Sequence, residues 1–331
     1  MKINTLFTSV GRRVELMNAW RKAYSELGLE GHIVATDIDP LAPALGVVDR
    51  YYIVPKTNSP GFINSLEEIC KQEQVHLIFP LIDPDIPVLA EDIERLESHG
   101  AKLIVSPKES VHTTRDKWLT SAFFNDIGVK SPASWIPETF DTTDLEFPVF
   151  IKPRHGSGAK ETHKINTVGE LEFFLEKIDN PIIQEFLPGP EVTNDVICDF
   201  SGNIMAVVSR QRIEVRWGEV AKGKTIYNPE ITENCIKIAK ELKTIGPIII
   251  QCIFKDNIPY FTEINMRYGG GAPLGIAAGV DSPQWYLALS SGKEVNIPPL
   301  GSYRKNLYLS RYDTSTFLSG DDLERIKSSR I

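Results

Sequence analysis

Strand-like and helix-like periods of apolar residues alternate through the first hundred positions. Residues 3–10 read as a strand and 14–27 as an amphipathic helix with Gly28 near its C-terminus. Residues 32–36 form a second strand, 62–73 a helix, 75–80 a strand, 85–98 a helix and 102–105 a strand. Such alternation predicts an α/β unit whose parallel sheet is covered by helices. Thr113-Thr114-Arg115-Asp116 reads as the capped start of a helix running to about Ile127, with Gly128 at its C′ position and Pro132 preventing resumption. From Phe147 the pattern changes. Short strands separated by Gly, Pro and Asn alternate with helices at 168–177, 231–243 and 283–289, which is α+β, and the natural boundary falls near residue 110.

One of those later strands carries chemistry. In Tyr260-Phe261-Thr262-Glu263-Ile264-Asn265-Met266-Arg267, alternation of side chains puts Glu263, Asn265 and Arg267 on one face and Ile264 and Met266 on the other. Carboxylate and amide oxygens suit a hard divalent cation shared with phosphates, and an arginine beside them suits a phosphoryl group in transfer. Residues 248–254 form the other arm of a hairpin. Pairing Phe254 with Tyr260 would set Gln251 opposite Glu263 as a third oxygen ligand. A solvated edge strand is the structural alternative.

Further candidates lie upstream. Lys152 ends an apolar strand and precedes Gly156, Ser157, Gly158 and Lys160, where backbone N–H groups can approach phosphate without obstruction. A mobile surface turn has the same composition, and the Walker A spacing is absent. In the extended run containing Glu185, Phe186 and Leu187, backbone groups can read an adenine edge, with Glu191 free to accept from ribose hydroxyls; an ordinary strand end is the alternative. As a strand, residues 209–216 would align Arg210, Arg212, Glu214 and Arg216 on one face, either an anion site or a guarded edge. Near the N-terminus, Val10-Gly11-Arg12-Arg13 and Asp37 suggest a dinucleotide site, but one glycine stands where the fingerprint needs three.

Composition narrows the reading without naming a reaction. The chain has 331 residues, 42% hydrophobic and 24% charged, long enough for two or three packed units in a soluble protein. A formal net charge of −8 supplies no general attraction to nucleic acid or to an anionic membrane, so an anionic ligand must meet a local basic pocket. Four scattered cysteines suggest reduced thiols and a cytoplasmic protein. The first residues are too polar for a secretory signal, and no apolar run approaches the roughly 20 residues of a membrane span.

In order and spacing, these motifs resemble the ATP-grasp superfamily, specifically the ATP-binding part of the carbamoyl-phosphate synthase large chain and its stand-alone relatives. The resemblance runs over nearly the whole chain. It implies a Rossmann-like pre-ATP-grasp domain over 1–110, an ATP-grasp subdomain with a glycine-containing lid over 111–180, and a second subdomain with the metal and ATP site over 181–331. By the same resemblance, Lys117 and Lys152 bind the nucleotide phosphates, residues 156–160 cover them, and Glu185 to Leu187 contact adenine. Glu191 would take the ribose, Gln251, Glu263 and Asn265 the metal (Mg²⁺ or Mn²⁺), and Arg267 with Lys160 the transferring phosphoryl group. The glycine loop is leaner than the family's double-glycine form, and Lys222 and Lys224 are candidates for a further family cation. The implied activity is phosphorylation of a small carboxylate to an acyl phosphate that an amine or other nucleophile attacks. The acid's pocket is expected beyond Arg267, at Gly269-Gly270-Gly271 and the helix after them or at Arg210, Arg212 and Arg216; a packing role for those glycines is the alternative. Partners would be the small-molecule substrates and a second copy or partner subunit, with an ATP-binding sensor as the competing reading.

Overall fold

The computed structural model describes residues 2–331 apart from 139, 142–144, 157, 159, 160 and 217. The N-terminal alternation folds as a five-stranded parallel sheet of β1 (Thr5–Thr8), β2 (Ile33–Asp37), β3 (Arg50–Ile53), β4 (Leu77–Pro80) and β5 (Lys102–Leu103), in the order β3-β2-β1-β4-β5. β1, β2 and β4 are buried along their whole length, as strands covered on both faces must be. The helices α1 (Val14–Leu27) and α2 (Phe62–Glu73) keep the expected bounds. The expected helix over 85–98 is instead two, α3 (Asp85–Glu91) and α4 (Ile93–Glu97), because Asp92 leaves the helical region at φ −111 and ψ 24.

A second break matters for the site. The helix expected with its capped start in Thr113–Asp116 is α6 (Lys117–Asp126), and a separate helix, α5 (Lys108–Arg115), precedes it, with Asp116 between them in an extended conformation. Asp116 is the true N-cap of α6 and accepts from Trp118 N at 2.9 Å. Gly128 at φ +64 closes that helix as its composition predicted.

Two antiparallel sheets follow. The first has four strands, β6 (Ser134–Trp135), β7 (Val149–Pro153), β8 (His163–Ile165) and β9 (Pro181–Glu185), in the order β6-β9-β7-β8, with α7 (Val168–Lys177) packed against them. Val149, Ile151, Ile165, Leu171, Ile178 and Ile183 form their own small core. The second has six strands, β10 (Glu191–Cys198), β11 (Ile204–Arg216), β12 (Glu219–Ile226), β13 (Pro247–Lys255), β14 (Ile258–Asn265) and β15 (Tyr308–Ser310), in the order β14-β13-β10-β11-β12-β15. The helix α8 (Pro229–Glu241) packs on β10 and β11, and α9 (Ala272–Ala277) and α10 (Ser282–Ser291) follow β14.

Aromatic packing crosses the boundary expected near residue 110. Trp20 of α1 packs edge-on to Phe7 at 5.1 Å and stacks on Tyr286 of α10 at 6.5 Å, while Phe79 of β4 lies 5.2 Å from Tyr286. The chain's end also returns to the first sheet. After α11 (Gly320–Ser328), Ile331 N donates to Ile53 O at 3.2 Å and Ile53 N donates to Ser329 O at 3.2 Å. All four cysteines are buried and free. Among the described residues no helix is long and apolar enough to cross a membrane.

Candidate active site

One cleft of about 1070 Å³ opens between the carboxyl ends of β1 and β4, the ends of β7 and β9, and the faces of β10, β11, β13 and β14. Its metal-ligating candidates come from the β13–β14 hairpin. Gln251 stands opposite Glu263, as expected, and Ile249 opposite Asn265, but Phe254 pairs with Pro259 rather than Tyr260. A register shift between Gln251 and Cys252 reconciles the two: Cys252 faces Phe261, so Thr262 is an extra residue on β14. Beyond that bulge the alternation resumes, with Glu263 and Asn265 lining the cleft and Ile264 and Met266 only 3% and 6% exposed. Asn265 Nδ2 donates to Glu263 Oε1 at 3.1 Å. Among the described residues no group of three or more His, Cys, Asp or Glu side chains is placed to hold a metal ion. One carboxylate and two amide side chains fit a cation that completes its shell with phosphate oxygens and water, as Mg²⁺ does, and not one held in a protein cage.

Two lysines stand next to the row, each within reach of the Glu263 charge. Lys152, on β7 opposite Ile182, is 7% exposed. Burial pushes its ammonium pKa down to about 8, against the pull of the Glu263 carboxylate and with added repulsion from Lys117. Lys117 opens α6 and is likewise lowered by burial, with Glu263, Asp83 and Asp116 opposing; its Nζ donates to Gly156 O at 2.9 Å. A single clamp holds both lysines. Arg154, two residues after Lys152, forks onto Asp116 through Nε at 2.7 Å and Nη2 at 2.6 Å, and Asp116 caps the helix that Lys117 begins. Burial raises the Asp116 pKa, but Arg154 and the Leu119 and Trp118 amides outweigh it and the net shift is downward. Gly156 and Gly158 adopt φ +110 and +79, which glycine tolerates. Ser157 and Lys160 lie outside the described residues.

At the opposite end Glu185 closes β9. Its N donates to Ala133 O at 2.8 Å, and its carboxylate forms an ion pair with Lys255. Gly189 lets the next loop press on the hairpin: a Cβ there would stand 1.9 Å from Phe254 O. Glu185, Phe186, Leu187 and Glu191 all line the cleft. Glu191 accepts from Gln251 Nε2 at 2.5 Å and from Arg212 Nη1 at 2.6 Å.

Beyond Glu263 and Asn265 the walls are charged. Arg267 forms an ion pair with Asp83, from the β4–α3 loop, and donates through Nη1 to Tyr268 O at 3.1 Å. Arg13, from the β1–α1 loop, places Nη1 3.3 Å from Glu219 Oε1, and Arg311 places its own Nη1 3.3 Å from Glu219 Oε2. Burial pushes the Arg13 pKa down to about 10, with Glu219 opposing and Arg267 and Arg311 adding to the fall. The three glycines are pressed against this cluster. A Cβ on Gly271 would come 2.0 Å from Arg210 Nη1, and one on Gly270 2.5 Å from Arg13 Nη1.

Two models of protein families match this chain. A PylC-like, N-terminal domain model matches residues 5–104, and an ATP-grasp domain model matches residues 114–271. Residues 114–271 form an ATP-grasp domain. The chain is 26% identical over 287 residues to a carbamoyl-phosphate synthase of Methanobrevibacter smithii, covering 81% of this chain and 76% of that protein. Among solved structures it is similar to the biotin carboxylase domain dimer of Hydrogenobacter thermophilus 2-oxoglutarate carboxylase with MgADP, ADP and bicarbonate. That match has a TM-score of 0.71, 18% identity, and coverage of 92% of this chain and 73% of the other. It is also similar to N5-carboxyaminoimidazole synthetase from Staphylococcus aureus complexed with ADP, with a TM-score of 0.72, 16% identity, and coverage of 92% and 81%. At these identities the structural likeness is one of fold.

Within the ATP-grasp domain and its surroundings, the residues expected to act divide clearly. Lys117, Lys152, Gly156, Gly158, Glu185, Phe186, Leu187, Glu191, Gln251, Glu263, Asn265, Arg267, Arg210, Arg212 and Gly270 line one cleft. The arginine row corrects the expectation. Register shifts at Arg212/Glu214 and Glu214/Val215 break its alternation, so Val215 lines the cleft while Arg216 pairs with Glu214 at 2.8 Å and is exposed. Arg210 is committed to Asp195, through Nε at 2.6 Å and Nη2 at 2.8 Å, and backs the glycine run. Neither Lys222, paired with Glu214 at 2.6 Å, nor Lys224, near the Tyr308 ring, lines the cleft. Asp37, the acid of the dinucleotide alternative, is occupied: it accepts from Gly11 N at 2.7 Å and Asp39 N at 3.0 Å. Arg13 entered only with the dinucleotide alternative, and Asp83, Glu219, Arg311 and the Asp116–Arg154 clamp were not anticipated, because each acts through a partner distant in sequence. For Asp116 alone a local signal existed, its capping position.

Proposed function

We propose that this protein is an ATP- and Mg²⁺-dependent ligase that phosphorylates a small carboxylate and passes the acyl group to a nitrogen nucleophile. The observation that carries this reading is the placement of Glu263, Asn265 and Arg267, with Gln251 opposite, in one cleft with Lys117 and Lys152. Mg²⁺, when bound, would neutralise phosphate charge and align the terminal phosphate. Glu263, Asn265 and Gln251 would hold it.

The rest of the chemistry falls to the chain's own groups. Lys152 and Lys117, clamped by Arg154 and Asp116, offset the charge of the nucleotide phosphates. Their low surrounding dielectric strengthens that attraction. Gly156 and Gly158 let backbone N–H groups approach the phosphates. The extended backbone at Glu185–Leu187 presents hydrogen-bonding groups to an adenine edge. Glu191, now joined to Gln251 and Arg212, would exchange those contacts for ribose hydroxyls. Arg267, held by Asp83, faces the acceptor carboxylate and spreads the charge of the phosphoryl group as it moves. Catalysis of this kind rests on positioning and charge compensation, with no protein nucleophile. The product acyl phosphate is then attacked by the amine, releasing phosphate.

Release of ADP, measured against panels of acids and amines, tests the reading. An acid with an amine should stimulate it, and Glu263→Ala should abolish the stimulated rate while leaving the melting temperature in place. Unchanged ADP production in that variant would refute the assigned metal row. A folded protein that binds Mg·ATP but responds to no acid would instead support the sensor reading.

A further inference from the structure

The acid end of the cleft holds a cation that phosphoryl transfer does not require. Arg13 projects from the β1–α1 loop, and its Nη1 is buried without a hydrogen-bond partner among the described residues. Its neighbouring carboxylate, Glu219, is 3.3 Å away and is shared with Arg311 at 3.3 Å and Arg12 at 3.9 Å. The other nearby acid, Asp83, is joined to Arg267. Arg13 cannot withdraw from this position without leaving Gly270, whose backbone lies against it. A guanidinium is planar and matches a carboxylate through two parallel bonds. Left short of acceptors in a cleft wall, it gains strongly from an anionic ligand. Space is available as well. The cleft of about 1070 Å³ lies at the top of the ~300–1,000 Å³ range of ligand pockets. The location is also the crevice beyond β1 and β4, where the strand order β3-β2-β1-β4-β5 reverses direction and open α/β sheets bind ligands.

Resting on the ligase reading above, we propose that Arg13 heads a second carboxylate subsite, distinct from the carboxylate facing Arg267, that holds a substrate carboxylate which does not react. That group belongs either to an amino acid acting as the nucleophile or to the far end of a dicarboxylic acid.

The test is calorimetric binding to the full chain with Mg·ADP present. The probes are the standard amino acids, malonate, succinate and glutarate, each binder being compared with its primary amide. Wild type should prefer the free carboxylate by ~10- to 100-fold. Arg13→Met should erase that preference and Arg13→Lys should keep part of it, with Mg·ADP affinity equal in all three. A preference confined to amino acids assigns the group to the nucleophile; one confined to the diacids assigns it to the acid. Folding of the variants is expected, because the Arg13 backbone bonds to Val10 and Met17 do not involve its side chain. No carboxylate preference in wild type, or the same preference in Arg13→Met, overturns the proposal. These readings need no turnover. Carboxylate selectivity without stimulated ADP release would sink the ligase reading alone, and stimulated ADP release with selectivity unchanged in Arg13→Met would sink the subsite alone.

Discussion

Replacing Lys152 with methionine should make the ligand-free protein more stable and the nucleotide complex weaker. Burial carries this ammonium from a reference pKa of 10.5 to about 8. Each pH unit corresponds to about 1.4 kcal/mol, so keeping the charge in the empty cleft costs on the order of 3 kcal/mol. The side chain is 7% exposed, so solvent screens little of that cost. Between pH 8 and 10.5 the native state binds fewer protons at this site than the unfolded state, so native stability rises with pH through that window. Below pH 8 both states are protonated and the whole penalty is present. Methionine matches the unbranched stem and removes the charge. At pH 7 the variant should therefore unfold at a higher urea concentration than wild type, and its advantage should shrink as pH rises from 8 toward 10.5. Nucleotide phosphates reverse the balance by favouring the charged lysine. At pH 8 wild type should take up about half a proton at this site on binding Mg·ADP. Calorimetry in two buffers of different ionisation enthalpy measures that uptake, and Lys152→Met should lack it. A variant that is no more stable at pH 7, or that shows the wild-type proton uptake, would refute the assignment of a desolvated phosphate-binding lysine.

The other predictions concern the walls of the acid end. Arg210→Ala leaves Asp195 buried without its fork and should cost about 3–5 kcal/mol in denaturant unfolding, whereas replacing both residues by apolar ones of similar volume should recover much of it. Gly270→Ala puts a Cβ 2.5 Å from Arg13 Nη1 and 2.9 Å from the Glu219 carboxylate. It should abolish acid-stimulated ADP release while leaving Mg·ADP binding measurable at wild-type affinity.

Local patterns carried much of this architecture. The apolar period of α1 and α2, the glycine stop after α6 and the alternation along β14 are properties of a few neighbouring residues, and they survive in the folded protein. The break at Asp92 was not legible, because the apolar period continues across it, whereas at Asp116 the capping position was a local signal. At Asp116 the fork with Arg154 stabilises the departure from helix. Bulges were equally hidden. One at Thr262 corrected a wrong pairing of Phe254 and kept Gln251 opposite Glu263, while the shifts around Glu214 turned Arg216 away from the cleft.

The division follows from range. Sequence alone determined the α/β-then-α+β order, the polar row at Glu263, Asn265 and Arg267 and the strand-end Lys152, because secondary structure and side-chain alternation act over a few residues. Tertiary structure decided what those groups face. It brought Asp83 to Arg267 across 184 positions, joined Arg13, Glu219 and Arg311 into one cluster, and returned the chain's end to β3. Charge pairs and shared cores depend on which distant segments a fold packs together, and no local period records that choice.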